Sequence, residues 1–443
     1  VLTVAQRWRI VLLTGSIVIS AFLEVANVSA IAPFLAVASD PTRFEDVAIL
    51  AYAFRFLPTE DADSFLIVVG TGVFLLMLTS NVWSALAWRA QLRMIWSLNH
   101  ELSLRLLERY LFRPYVFFLT RNTADLSRNL LSEMNQLTNS VIQPVIHAVS
   151  RLLVALGIVI VLYVTNPLLA LIVTLVVGGS YAVIYAFTRR RLAAIGKDRV
   201  QANRERYTIA AEALGGIKDV KVLNVESTFL ARFTDSSLRF SIHQATSQTI
   251  SALPKYAIEA VAFGSVVLIV VYFVALERDF GGIVQMLGLY AFSGYRLLPA
   301  MQQIFSAVTA ARYNRSTVEG ILSDLLDAPE IKRCPLGVSS GPIGLSKQLE
   351  LRQVRFSYPG AEKRAVDDVS IVIPANCVVG FVGATGSGKT TLIDIILGLL
   401  RPQSGEIIVD GTPITEENLS AWQMSIGYVP QQIFLSDSTV AEN

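Results

Sequence analysis

Residues 383–391 read Gly-Ala-Thr-Gly-Ser-Gly-Lys-Thr-Thr. A glycine, four residues, then Gly388, Lys389 and Thr390 is a spacing suited to phosphate chemistry. The glycines let backbone N–H groups turn inward around an anion, and a helix starting at the lysine adds positive potential. Lys389 is then placed to reach the β- and γ-phosphates of ATP, and the Thr390 hydroxyl to hold Mg²⁺. Gly383, Ala384, Thr385, Gly386, Ser387, Gly388, Lys389, Thr390 and Thr391 together form the candidate ATP-binding loop. The plain alternative is a glycine-rich turn, and a strand before with a helix after argues against it. The stretch "VVGFV" (378–382) reads as a short buried strand, and "KTTLIDIILGLL" (389–400) has apolar helical spacing.

Two more residues fit this site. Tyr358, in "FSYPG", follows a strand about 25 residues before the loop. An aromatic there can stack on adenine; as a strand-end tyrosine it can equally cap a core. Gln431 closes "SIGYVPQ", where an amide can approach Mg²⁺ or the attacking water. Its alternative is a surface turn residue. A second group of candidates lies in apolar surroundings: Arg151, Lys255 and Arg296, with Glu24 and Glu259 nearby in the pattern. An ionised side chain at a bilayer centre costs roughly 2.5–3.5 kcal/mol on the mildest scale. Arg151 and Arg296 fall at similar depths, about 21 and 22 Å from the outer ends of their helices, and Lys255 about 33 Å from its own. Such cations suit a diphosphate head group. Internal pairing, of Lys255 with Glu259 or of Arg296 with Glu24, is the competing explanation.

The elements that must position these residues follow from composition. The 443 residues are 53% hydrophobic and only 16% charged, below the usual quarter charged. Six stretches are long and apolar enough to span a bilayer: 10–37, 64–88, 141–164, 168–187, 257–275 and 283–308. The segments 89–111, 188–212 and 232–250 are charged and helix-friendly, so the helices should run on beyond the membrane. Lys and Arg concentrate in the connections between spans two and three and between four and five. Those connections therefore face the cytoplasm, as do the N-terminus and the phosphate loop. The stretch "VAILAYAFRFL" (47–57) is too short to cross and reads as a helix lying on the outer surface or packed on the span ends. Residues 1–327 form the membrane domain, 328–348 a Pro/Gly-rich linker, and 349–443 a soluble piece with strands at "LELRQVRFSY", "VSIVI", "EIIVDG" and "SIGYVP". Cys334 and Cys377 stand alone, which excludes a disulfide framework or a C-x-x-C metal site. The chain opens with Val1 and is expected to lack its native start.

Together, "YPG", "GATGSGKTT", "YVPQQIFLSDSTVAEN" and the six spans resemble an ATP-binding cassette (ABC) exporter half-transporter. The resemblance implies a membrane all-α domain of six transmembrane helices followed by a partial α/β P-loop nucleotide-binding domain. It identifies Tyr358 with the adenine-stacking aromatic, 383–391 with the Walker A loop and Gln431 with the Q-loop glutamine. It also implies that 113–126 and 212–226 surround the coupling helices. Within the family, 24–40, 253–264 and 295–304 look most like bacterial lipid-linked oligosaccharide flippases. That implies a homodimer in the bacterial cytoplasmic membrane, using ATP and Mg²⁺, with the lipid bilayer and a lipid-linked sugar as partners and no nucleic acid. A lipid or multidrug exporter is the alternative within the class; a membrane-tethered regulator or kinase without transport is the alternative outside it. The family's signature motif, Walker B carboxylate pair and switch histidine are absent from the sequence, and Asp410-Gly411 reads as a hairpin turn rather than Walker B. The chain therefore reads as a C-terminally truncated fragment, not expected to hydrolyse ATP by itself, whose complete parent should.

Overall fold

The computed structural model describes residues 4–39, 62–165, 167–275, 281–326, 341–430 and 436–441. The chain divides into two compact units, 1–108 with 124–327, and 109–123 with 328–443. The stretch 47–57, most of the linker and Gln431 lie outside the described residues.

The first unit is helical. Its elements are α1 (Val4–Ser39), α2 (Ala62–Leu111, running on into the second unit), α4 (Thr123–Thr165), α5 (Pro167–Gly215), α6 (Ile217–Leu223), α7 (Glu226–Ala275), α8 (Gly281–Tyr313) and α9 (Arg315–Leu326). Each of the six apolar stretches falls inside one of the long helices. Among the described residues, three segments are long and apolar enough to cross a membrane: Val11–Ile31, Leu66–Leu111 and Thr123–Thr165. Helices α2 and α7 hold 50 residues each and α5 holds 49. At 1.5 Å per residue a 50-residue helix reaches about 75 Å, against a hydrocarbon core of about 30 Å. The charged segments 89–111, 188–212 and 232–250 are the overhang. Pro254 and Pro299 lie inside α7 and α8 without ending them.

Small residues set how closely the helices approach. Ala21 and Val28 of α1 pack on Val154, Ile158 and Leu162 of α4, while Ala155 of α4 meets Leu297 and Ala300 of α8. A Cβ on Gly157 would lie 2.3 Å from Val25 Cγ2. Close backbones bring dispersion contacts that oil-like lipid cannot replace. Helix α4 also carries two π-helical segments, Arg128–Glu133 and Thr138–Ile142.

A second junction is ionic. Arg199 of α5 is 1% exposed and Glu133 of α4 is 2% exposed. One Arg199 amine donates to both Glu133 oxygens at 3.3 and 3.2 Å; the other donates to Asn314 Oδ1 at 3.1 Å and Thr317 Oγ1 at 2.7 Å. Asn203 and Thr317 donate to the same carboxylate at 2.8 and 2.9 Å. Beside it, a Cβ on Gly196 would sit 1.9 Å from the Tyr313 carbonyl oxygen, so α5 and the end of α8 touch backbone to backbone.

The second unit holds α3 (Tyr115–Thr120), strands β1 (Gln348–Phe356), β2 (Val366–Pro374), β3 (Ser404–Val409) and β4 (Thr412–Pro413), and helices α10 (Lys389–Ile396) and α11 (Leu419–Gln423). The sheet is antiparallel in order β2-β1-β3-β4. Its buried side chains, among them Leu349, Leu351, Val354, Ile407 and Val409, pack on Leu392, Ile395 and Trp422. Two expected strands are absent: 378–382 and 425–430 are irregular, with Val378, Val382 and Val429 almost fully exposed. A strand of a parallel core is apolar because it is covered on both faces; among the described residues neither segment has a neighbour to pair with. Asp410 (φ +48°) and Gly411 (φ +86°) do form the tight turn between β3 and β4, the left-handed pair that a two-residue hairpin loop requires.

Candidate functional site

The phosphate loop lies between β2 and α10. Gly388 has φ +88°, and a Cβ there would lie 2.1 Å from the Ala365 carbonyl oxygen. Only glycine combines that backbone with that approach. Lys389 curls back over the loop, its ammonium donating to the carbonyl oxygens of Gly383 and Ala384 at 2.8 Å each. Residues Gly383, Ala384, Thr385, Gly386, Ser387 and Thr390 are exposed. The loop thus offers open backbone, one cation and one free-standing Thr390 hydroxyl, a donor set that fits a Mg²⁺-polyphosphate.

Thr391 differs from its neighbours. It is buried, and its hydroxyl lies 3.0 Å from the Tyr358 hydroxyl. Tyr358 sits edge-on against Phe356, ring centroids 5.1 Å apart at 89°. Its ring is therefore held at both ends, by the strand it leaves and by the helix that opens the loop. The turn that follows is closed by Ala361 N–H to the Tyr358 carbonyl at 3.1 Å through Pro359.

Helix α3 belongs to this same unit. Val116 packs against the sheet's core. Burial pushes the Tyr115 phenol above its ordinary pKa, helped by Asp394 of α10 and then by Tyr428 and Tyr358. Burial likewise raises the Asp394 carboxyl. The α3 segment thus shares space with the helix behind the phosphate loop and with Tyr358. The guanidiniums of Arg113 and Arg121 both lie over the Phe117 ring, 5.2 and 5.1 Å from its centroid, two cation–π contacts. Helix α6, at the other expected coupling stretch, presents Ile217, Val222 and Leu223 exposed, as is Leu214 at the end of α5.

The membrane-domain candidates separate into two groups. Arg151 donates from one amine to both Glu24 oxygens at 2.9 and 3.0 Å, and from Nε to Gln303 at 3.2 Å. Arg296 reaches the same Glu24 at 3.9 Å, with its guanidinium 5.9 Å from the Phe292 ring centroid. Two arginines therefore share one buried acid where α1, α4 and α8 meet. Around them several polar atoms are buried without a partner: Ser20 Oγ, both side-chain atoms of Asn27, His147 Nε2, Ser293 Oγ and Arg296 Nε. Arg151 and Glu24 also border a cavity of about 40 Å³ with Ser20, Gln91 and His147, room for ordered water. Lys255 does not join them; its ammonium is 3.8 Å from Glu259 and over the Tyr256 ring. The pairings of Lys255 with Glu259 and of Arg296 with Glu24 are those the sequence offered as the competing explanation; that Arg151 takes the same Glu24 was not readable, because helix rotation decides it. Tyr115 and Asp394 carried no motif signal.

Residues 10–295 match the family model described as the ABC transporter transmembrane region, and 366–443 match the model described as ABC transporter. The chain is 25% identical over 348 residues to an ATP-dependent lipid A-core flippase of Burkholderia orbicola, covering 77% of this chain and 57% of the relative. Against a protein of the same name from Methylococcus capsulatus the identity is 27% over 336 residues, 74% of this chain and 54% of the relative. The chain thus spans a little over half the length of these curated relatives. A solved bacterial Atm1-family ABC exporter with ATP bound superposes with a TM-score of 0.70 at 15% identity, covering 96% of this chain and 71% of that one.

Proposed function

The chain belongs to the ABC transporter family, and on that premise we propose that it works in an ATP-driven exporter that flips a lipid with a phosphorylated head group, a lipid-linked pyrophosphate oligosaccharide. The observation that carries this reading is the sharing of Glu24 by Arg151 and Arg296. One carboxylate against two guanidiniums leaves positive charge inside membrane helices, a costly arrangement that a phosphate oxyanion would offset through charge-assisted hydrogen bonds. A hydrophobic drug would leave those donors unmet. The lipid A-core flippases among the relatives also have a lipid in their name.

The phosphate loop supplies the nucleotide end. Gly383–Lys389 would hold the ATP phosphates, Thr390 the Mg²⁺ and Tyr358 the adenine, with Gln431 near the ion. The bound triphosphate supplies the phosphoanhydride energy. Helix α3 would carry movement from the loop toward α2 and α4, which flank it in the chain. The bare apolar face of α6 suits a second copy, since exposed patches of this kind mark interaction surfaces. The charge bias puts both coupling stretches on the cytoplasmic side; the bacterial cytoplasmic membrane is what the resemblance to bacterial flippases implies.

The test is transport by the full-length gene product in liposomes loaded with a fluorescent lipid-pyrophosphate sugar. Arg296→Glu should abolish flipping while Lys389→Ala abolishes it through nucleotide binding, read separately with a fluorescent ATP analogue. Normal flipping by the Arg296→Glu protein would refute the head-group reading.

A further inference from the structure

We infer that the first unit carries an anionic-lipid groove, separate from the Glu24 junction, in which an acyl chain lies along α4 and α8 and its phosphate meets Arg312 and Arg315. The groove encloses about 470 Å³, within the range of ordinary ligand pockets. Its wall is apolar: Val145, Val149 and Leu152 from α4, and Ile304 and Val308 from α8, with Tyr185 from α5. Val145, Val149, Leu152 and Val308 are all well exposed. Counted along α8, Ile304 to Arg312 spans about 12 Å, a length over which an acyl chain can lie along the apolar wall.

Charge appears at one end only. Arg312 closes α8 and Arg315 opens α9. The Nε of Arg312 is buried and has no hydrogen-bond partner, a state that normally costs free energy unless a ligand or water completes it. Arg315 pairs with Glu319 at 2.6 Å but keeps most of its surface exposed. A long apolar trough ending in a guanidinium with an unmet donor is complementary to one amphiphile class, a lipid with an anionic head. A neutral lipid would fill the trough and leave Arg312 unanswered. With the orientation proposed above, α8 enters the cytoplasm at this end, so the occupant is a lipid of the inner leaflet.

The occupant can be checked by native mass spectrometry of the full chain released from detergent, titrated with phosphatidylglycerol and with diacylglycerol of the same chains. Phosphatidylglycerol should bind more tightly, and Arg312→Gln should weaken it roughly tenfold, the loss of one charge-assisted hydrogen bond. Arg312→Lys should recover part of the loss, which excludes simple misfolding. Ala148→Phe, which narrows the trough, should weaken both lipids. The head-group reading is tested by flipping in Arg296→Glu, whereas this inference is tested by lipid affinity in Arg312→Gln, so either can fail without the other. Equal binding of the two lipids, or no effect of Arg312→Gln, overturns the inference. So does loss of dimer on Ala148→Phe with lipid binding intact, which would make the groove a seam between copies.

Discussion

Two buried carboxylates in the same helical unit have opposite surroundings. Glu133 accepts from Arg199, Asn203 and Thr317, and the second amine of Arg199 is spent on Asn314 and Thr317, which leaves Arg199 Nε buried without a partner. Glu24 accepts from Arg151, has Arg296 at 3.9 Å, and is surrounded by side chains whose polar atoms go unmet. A buried polar network that is nearly satisfied fixes a fold; one with many unmet atoms holds capacity for something else. The lesson is that the number of unmet donors, not the presence of charge, separates a structural clasp from a binding site.

The largest expected effect is at Glu133. Glu133→Ala strands Arg199 at 1% exposure and should cost about 3–5 kcal/mol, read as a fall in the thermal unfolding temperature of the detergent-solubilised chain. Glu24→Gln should cost less, about 1.5 kcal/mol, since Arg151 is partly exposed and finds water. It should also tighten binding of an anionic lipid, measured by fluorescence titration, because both guanidiniums lose their internal competitor. If the two substitutions destabilise equally, the distinction fails.

Asp410 sharpens the comparison from the outside: a carboxylate that is saturated yet exposed. It accepts from the backbone N–H of Ser346, Lys347 and Gln348 at 2.6–2.8 Å. Those bonds, that of Ser346 first, hold its pKa below the ordinary value. A depressed carboxylate stabilises above its unfolded pKa, about 3.9, and the benefit is lost as pH falls through the lower folded value. Protection of the amides at 346–348 against exchange should therefore be lost only in strong acid, and in Asp410→Asn should be weak and nearly pH-independent. The smallest effect is at Asp394, whose carboxyl is raised by burial. Asp394→Asn should slightly raise the unfolding temperature at neutral pH, where the native carboxylate is ionised against its preference.

Much of this was legible from the chain. Apolar runs located every long helix, and the charged segments beyond them were correctly read as continuing helix, because a helix satisfies its own backbone and needs no partner to continue. Strands were legible only where partners follow: β1 pairs with β2 and with β3, while 378–382 and 425–430 have the right composition and, among the described residues, no neighbour. The phosphate loop was legible because its chemistry is local, set by Gly388 and Lys389. The Glu133 clasp was not, since Arg199 sits among cytoplasmic charges that look alike in sequence and only the packing of α4, α5 and α9 singles it out.

The backbone contact at Gly196 has a consequence for variation. With the Tyr313 carbonyl 1.9 Å from where a first side-chain carbon would stand, even a methyl group there forces α5 and α8 apart. Saturation libraries of this chain, selected for folding, should return one residue type at that position while tolerating many at Gly178 or Gly179, where nothing stands within 4 Å.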